Sequence, residues 1–272
     1  MTGSDVEEAV VRRLRAAGCV FAEDEAGLLL EAAVSPEDLE SRLRRREAGE
    51  PLEVILGWAE FCGLRVAVDP GVFVPRQRTA LMVDLAAGGL SPSRRAVVLD
   101  LCCGTGALGL ALAARADLDL VAADLDPRAV ACARRNLVGV GQVFQGDLFA
   151  ALPERLRGRL DVVLANAPYV PTDDIALMPP EARLHEPRTA LDGGADGLAI
   201  HRRIASEAPG WLASGGRLLI EVAERQVAAA LEAMETAGLV AGVHRDEERD
   251  AIAIVGTRAL AETRGSVIDD DG

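Results

Sequence analysis

The chain has no lysine. All 29 of its basic residues are arginine, and they face 43 acidic residues across 272 positions, for a formal charge of −14. That sign argues against a strong general nucleic-acid binder, whose affinity comes mainly from neutralising phosphates. Arginine-only usage beside abundant alanine reads as coding bias rather than chemistry. Cysteine is sparse: Cys19, Cys62, Cys102, Cys103 and Cys132 form no CxxC pair and no Cys/His cluster. Reduced thiols are expected, with neither a metal site nor a disulfide framework. No apolar run reaches the roughly 18 residues of a membrane span, and the start, MTGSDVEEAVVRRLR, lacks the apolar core of a signal peptide. A soluble, cytoplasmic protein free of the membrane is expected. Aromatic residues make up only 3%, so Trp58 and Trp211 are read as core anchors. His185, His201 and His244 stand in no nucleophile–base pattern and are assigned solvated or capping roles.

What is present is apolar material, half of the chain, which is ample for a core. Residues 1–50 show helical spacing with caps, as at Ser35-Pro36-Glu37-Asp38, where proline takes the first helical position. They read as a small helical domain. The run Arg42 to Arg46 reads as a solvated helix face. Residues 51–95 alternate apolar and polar around Gly57, Gly63 and Asp69-Pro70-Gly71, which predicts a β-hairpin and a linker carrying a helix near 77–88. From 96 to 261 short apolar runs alternate with helical stretches. The runs are AVVLDL, LVAADL, GQVFQ, LDVVLA, GGRLLIEV and AIAIVG. Such alternation predicts an α/β fold, a doubly wound parallel sheet covered on both faces, with ligands bound beyond the carboxyl ends of the strands. Residues 262–272 are polar and acidic and read as a disordered tail.

The chemistry gathers at three strand ends and a fourth. After the first strand comes Asp100-Leu101-Cys102-Cys103-Gly104-Thr105-Gly106. Glycine there lets the backbone turn tightly and approach a ligand, and the next helix offers free amides; a plain strand-to-helix turn with packing glycines would look the same. The second strand ends in Asp124-Leu125, and its carboxylate is placed to accept from both hydroxyls of a ribose. The third leads to Gly146-Asp147-Leu148-Phe149, with Asp147 placed for an adenine edge and Leu148 or Phe149 for the ring face. The turn is not GxGxxG, so a nucleoside without a pyrophosphate, such as S-adenosylmethionine (AdoMet), suits it better than a dinucleotide. The fourth run ends in Asn166-Ala167-Pro168-Tyr169. Two oxygen acceptors there, the Asn166 side chain and the Ala167 carbonyl, can take both hydrogens of an NH2 group and aim its nitrogen. Tyr169 would wall the slot and stack on a flat amide.

These blocks resemble the HemK/PrmC family of protein-(glutamine-N5) methyltransferases. The resemblance runs through PLEVILGWAEFCG, VFVPR, VLDLCCGTGALGLALA, ADLDPRAVACARRN, QGDLF, LANAPYVP, HEPRTALDGGADGL and GGRLLIEVAERQ. It implies a class I AdoMet-dependent methyltransferase fold, a Rossmann-like sheet with a small N-terminal helical domain that helps hold the substrate. It implies AdoMet as cofactor, held by Asp100, Cys102, Cys103, Gly104, Thr105, Gly106, Asp124, Leu125, Asp147, Leu148 and Asn166. It also implies that Asn166, Ala167, Pro168 and Tyr169 grip the acceptor, the glutamine of the GGQ loop of a class I peptide chain release factor. The chain departs from the family pattern at four places. NAPY replaces NPPY, Cys102 stands where a glycine is usual, PRQRTA (Pro75 to Ala80) replaces a PRPETE-like segment, and Asp250-Ala251 replaces an Asp-Arg pair. They suggest a divergent paralogue. Other readings are methylation of an amide or amine in another peptide or natural product, adenine-N6 methylation of nucleic acid with the base flipped out, and an AdoMet-binding module without turnover.

Overall fold

Local signals start the helices as the sequence suggests. The structure, a computed structural model, describes residues 3–91 and 93–260; the acidic tail expected at 262–272 lies outside them. The first helices are α1 (Gly3–Ala16), α2 (Ala22–Ala32), α3 (Pro36–Glu47) and the short α4 (Leu52–Leu56). At the start of α3 the Ser35 side chain accepts from the Asp38 N–H, with Pro36 in the first turn. Their apolar faces close on one cluster that includes Leu14, Leu29, Leu43 and Ile55. The arginine run of α3 is a solvated face only in part: Arg44 is exposed, while its neighbours are tied down. Arg42 donates to the Ile55 carbonyl at 2.9 Å, Arg45 pairs with Glu50 at 2.6 Å, and Arg46 grips Glu25 at 2.6 and 3.0 Å. Arg46 and Glu25 keep only 10% and 11% of their side-chain exposure.

The hairpin forms as β1 (Trp58–Phe61) and β2 (Leu64–Ala67), paired antiparallel. Cys62 and Gly63 between them both have positive φ, 52° and 76°, the backbone that a two-residue hairpin turn requires. Trp58 is half-buried under the Arg65 guanidinium, 4.1 Å from its ring centroid, rather than in the core. The linker turns through Gln77–Thr79 into α5 (Ala80–Gly88).

Then come β3 (Ala96–Leu101), α6 (Ala107–Ala113), β4 (Leu118–Asp124), α7 (Pro127–Asn136), β5 (Gly141–Gln145), β6 (Leu160–Ala165), α8 (Pro180–His185), α9 (Ala199–Trp211), β7 (Leu212–Glu221), α10 (Val227–Thr236), β8 (Leu239–Asp246) and β9 (Ala251–Arg258). One sheet runs β5-β4-β3-β6-β7-β9-β8. Alternate residues feed opposite cores, as a pleated strand must. Val98, Leu120, Ala122 and Leu164 join α5 and α6 on one face, while Leu99, Val121, Val163 and Ile220 join α9 and α10 on the other.

The sheet is not wholly parallel. β9 runs antiparallel to both β7 and β8, because four residues between β8 and β9 reach a hairpin partner but not a crossover. β8 itself was not anticipated. It is an edge strand whose apolar run is short, interrupted by Gly242 and closed by His244-Arg245-Asp246, and Val240 is 71% exposed. His201 corrects another expectation: it is buried on α9, its Nε2 sits 3.1 Å from the Glu221 carbonyl, and burial pushes its pKa down to about 4. Among the described residues, no helix is long and apolar enough to cross a membrane.

The Arg46–Glu25 pair gives a stability test. Arg46→Met strands a buried carboxylate and is expected to cost about 3–5 kcal/mol. Adding Glu25→Met should recover most of that loss in urea unfolding of the full chain.

Candidate active site

In-register pairing builds the site. Leu101 pairs with Ala123 of β4 and Ala165 of β6, so three parallel strands end level. The residues that follow, Cys102, Asp124 and Asn166, therefore emerge side by side. Asp124 pairs in turn with Gln145, which brings Gly146 and Asp147 to the same edge. This edge floors a cavity of about 660 Å³, within the range of small-molecule sites. Cys102, Cys103, Gly104, Thr105, Asp124, Leu125, Asp147, Leu148, Asn166, Ala167, Pro168 and Tyr169 all line it.

Asp100 and Gly106 do not. Asp100 lies buried beneath the turn, its Oδ2 accepting the Gly109 N–H at 2.9 Å and its Oδ1 without a partner. Burial raises its pKa to about 7, with the Asp124 charge adding to the shift and the Gly109 amide opposing it. Gly106 precedes α6 and packs under Leu137, which a Cβ would meet at 3.0 Å.

The turn is left-handed at three residues, Cys102 (φ 57°), Gly104 (55°) and Gly106 (78°). A non-glycine residue pays roughly 1–2 kcal/mol in that region, which accounts for glycine as the usual occupant of position 102. The cysteine lines the cavity without closing it, and burial pushes its thiol pKa up, so it stays protonated. Asp124 holds the turn from the side: its Oδ2 accepts the Gly104 N–H and its Oδ1 the Asp126 N–H, both at 2.9 Å. Burial raises its pKa and those amides oppose the rise. Capping of α7 falls to Asp126, which accepts the Arg128 N–H at 2.8 Å.

Asp147 is half exposed and paired with Arg203 of α9 at 2.7 Å. Of the two apolar residues after it, only Leu148 faces the cavity; Phe149 is buried and stacks on Trp211 at 5.7 Å. The expected choice between them is thus made by the core.

The fourth strand end is held from both sides. Asn166 donates through Nδ2 to Thr79 Oγ1 at 3.3 Å, and among the described residues nothing donates to its Oδ1. The Tyr169 hydroxyl donates to Glu221 Oε1 at 2.9 Å and accepts from Arg78 at 2.5 Å. Arg78 also reaches Glu221 at 3.0 Å. Burial and the Glu221 charge raise the Tyr169 pKa, which keeps the phenol protonated as a donor. Behind it, Gln226 donates to the Tyr169 and Asp196 carbonyls at 2.8 and 3.0 Å. A Cβ at Gly197 would fall 2.2 Å from the Tyr169 carbonyl, so glycine alone lets the DGL run lie against this segment.

Two walls of the cavity carry residues to which no role was assigned from the sequence. One is the linker, from Gly71 through Phe73, Arg76, Arg78 and Thr79; the other is the stretch from Met178 through Ala182 and Glu186 to Asp192. Arg76 pairs with the buried Glu186 across them. The proline-bounded VFVPR and the EP pair were the signals available.

Three comparisons bear on this arrangement. The methyltransferase small domain family matches residues 63–194. A release factor glutamine methyltransferase of Geobacter sulfurreducens is 38% identical over 208 residues, 73% of this chain and 72% of the relative. One of Cereibacter sphaeroides is 36% identical over 263 residues, 88% of this chain and 92% of the relative. Among solved structures, a methyltransferase from Pyrococcus furiosus superposes with a TM-score of 0.54 at 15% identity, covering 81% of this chain and 98% of that one. A ribosomal protein L11 methylase from Lactobacillus delbrueckii subsp. bulgaricus gives 0.50 at 14% identity, covering 68% and 80%. The sheet is that of a class I methyltransferase fold.

Asp100 supplies a pH test. Its folded pKa of about 7 lies above the unfolded value. It therefore favours the fold below about pH 4 and loses that contribution as pH rises towards 7, by at most about 4 kcal/mol. The unfolding free energy of Asp100→Asn minus that of the parent, measured in urea, should grow between pH 4 and 8.

Proposed function

The chain belongs to the release factor glutamine methyltransferase family, and from that premise we propose that it transfers a methyl group from AdoMet to the glutamine side-chain nitrogen of a release factor GGQ loop. The observation that carries the reading is the Asn166 carboxamide, tied by its nitrogen to Thr79 with Oδ1 left to accept.

The cradle fits AdoMet. Asp100 is buried beneath the glycine turn with one oxygen unpartnered and lies outside the cavity lining, so it would act on the methionine ammonium group only through that turn. Asp124 keeps lone pairs beyond its two backbone amides for ribose hydroxyls, and Leu125, Leu148 and Asp147, which line the same cavity, are read as the adenine contacts. When bound, AdoMet supplies the electrophilic methyl group.

The protein's own part is orientation. An amide nitrogen is a poor nucleophile because its lone pair is shared with the carbonyl. Asn166 Oδ1 and the Ala167 carbonyl take its two N–H hydrogens, turn one face of the nitrogen to the cofactor, and meet the positive charge that grows there with fixed oxygens. Tyr169, pinned by Glu221 and Arg78, keeps the slot flat. The extra proton then leaves the nitrogen for water. Ala167 keeps the carbonyl that proline would present; what it gives up is the fixed φ. The helices of α1–α4 are read as a docking surface for the release factor.

A second reading rests on Arg78. A cation takes the place of a family carboxylate beside the slot, which favours a different protein or small-molecule amide as acceptor.

Incubation with a class I release factor and methyl-labelled AdoMet tests the proposal. Label on the GGQ glutamine is expected, and Asn166→Ala should lower kcat by about 10²–10³-fold. A release factor left unlabelled by an enzyme that binds AdoMet would rule out this acceptor.

A further inference from the structure

A carboxamide has the same shape at its two ends and opposite polarity. Rotation by half a turn about the last side-chain bond of Asn166 exchanges an oxygen that attracts an acceptor N–H for an NH2 that repels it. Such terminal torsions are soft, so the residue cannot choose its own orientation. Something beside it must.

Thr79 occupies that place. The residue is 2% exposed, and its Oγ1 accepts from the Asn166 Nδ2 at 3.3 Å. It stands at the first position before α5, where a threonine hydroxyl ordinarily caps the helix. Here it does not: the residue is already helical, with φ −66° and ψ −12°, and makes no side-chain cap. The oxygen is thereby left for the carboxamide. The turn that carries it is fixed on its other side as well, since Gln77 donates to the Glu60 carbonyl at 2.5 Å and Arg78 binds Tyr169 and Glu221. One short turn of the linker thus seats both ends of the Asn166–Tyr169 segment.

We propose that Thr79 is a positioning residue for methyl transfer, holding the Asn166 nitrogen so that its oxygen faces the acceptor; the inference rests on the acceptor role given to Asn166 above. Thr79 lines the cavity wall, and its proposed action runs through the Asn166 carboxamide.

Thr79→Val keeps the shape and removes the oxygen, while Thr79→Ser keeps the oxygen. With a release factor that the parent enzyme labels, Thr79→Val should lower kcat about 30-fold, a loss of the size that misplacement brings. Binding of S-adenosylhomocysteine by calorimetry and the Tm should stay at parent values, and Thr79→Ser should keep at least half of kcat. Thr79→Ala carries the same expectation as valine if the latter folds poorly. Unchanged kcat in the valine and alanine variants overturns the proposal. So does a rise, which would make the hydroxyl a donor to Oδ1, or loss of folding in both variants, which would make Thr79 a packing residue. Absence of label with the parent enzyme would instead count against the acceptor reading.

Discussion

The site depends on strand ends that finish level. Parallel strands in hydrogen-bonded register cannot place their last residues independently: once Leu101 pairs with Ala123 and Ala165, the next residue of each chain segment appears at the same height. Cys102, Asp124 and Asn166 come from points far apart in sequence, yet backbone hydrogen bonds alone bring them to one edge. Side chains then need to solve only local problems. Asp124 ties itself to the Gly104 amide, which couples the second strand end to the first turn and fixes the shape of the floor.

The walls are fastened by a different device. Three nearly buried carboxylates, Glu25, Glu186 and Glu221, each meet one arginine: Arg46, Arg76 and Arg78. Each pair joins segments that nothing in the sheet brings together: α2 to α3, the linker to the wall before α9, and the linker to the end of β7. Arg46 also reaches Glu181 of α8 at 3.5 Å, linking the helical cluster to the cavity wall. Desolvating such pairs costs much of what they return. Their value lies in direction, since a guanidinium offers a planar fork that matches a carboxylate in few poses. A chain without lysine has only this kind of cation with which to make its joints.

Much of this was legible in the sequence, and the parts that were not share a cause. AVVLDL, LVAADL and LDVVLA announce buried strands because both their faces are apolar, and the residues that follow them are the ones the register assembles. β8 is less legible because its apolar run, Leu239 to Val243, is short and broken by Gly242 before His244-Arg245-Asp246. Phe149 and Leu148 are neighbours of similar character; the stacking of Phe149 on Trp211, a contact between distant segments, decides which one faces the cavity. Arg78 was visible as a departure from a family pattern that Thr79 keeps, but their ties to Tyr169 and Asn166 depend on where the linker crosses the sheet, and no local signal encodes that.

The departures at the two ends of the cavity do not weigh equally. At the cofactor end, Cys102 keeps the left-handed turn at a cost in backbone strain, and the sheet register that sets the floor is unaffected. The change is one of fit. At the acceptor end, Arg78 replaces a negative charge by a positive one within hydrogen-bonding distance of Tyr169 and Glu221. Because Glu221 is buried and its second oxygen has no partner, the cation there neutralises a charge that would otherwise act on the slot. A carboxylate at position 78 would add to that negative field; the arginine cancels it. In the proposed reaction the oxygens of Asn166 and Ala167, which both versions keep, set the reaction type, whereas the charge at position 78 acts on whatever flanks the acceptor nitrogen. On that proposal the chemistry is constrained by the sheet, and the choice of acceptor by the linker.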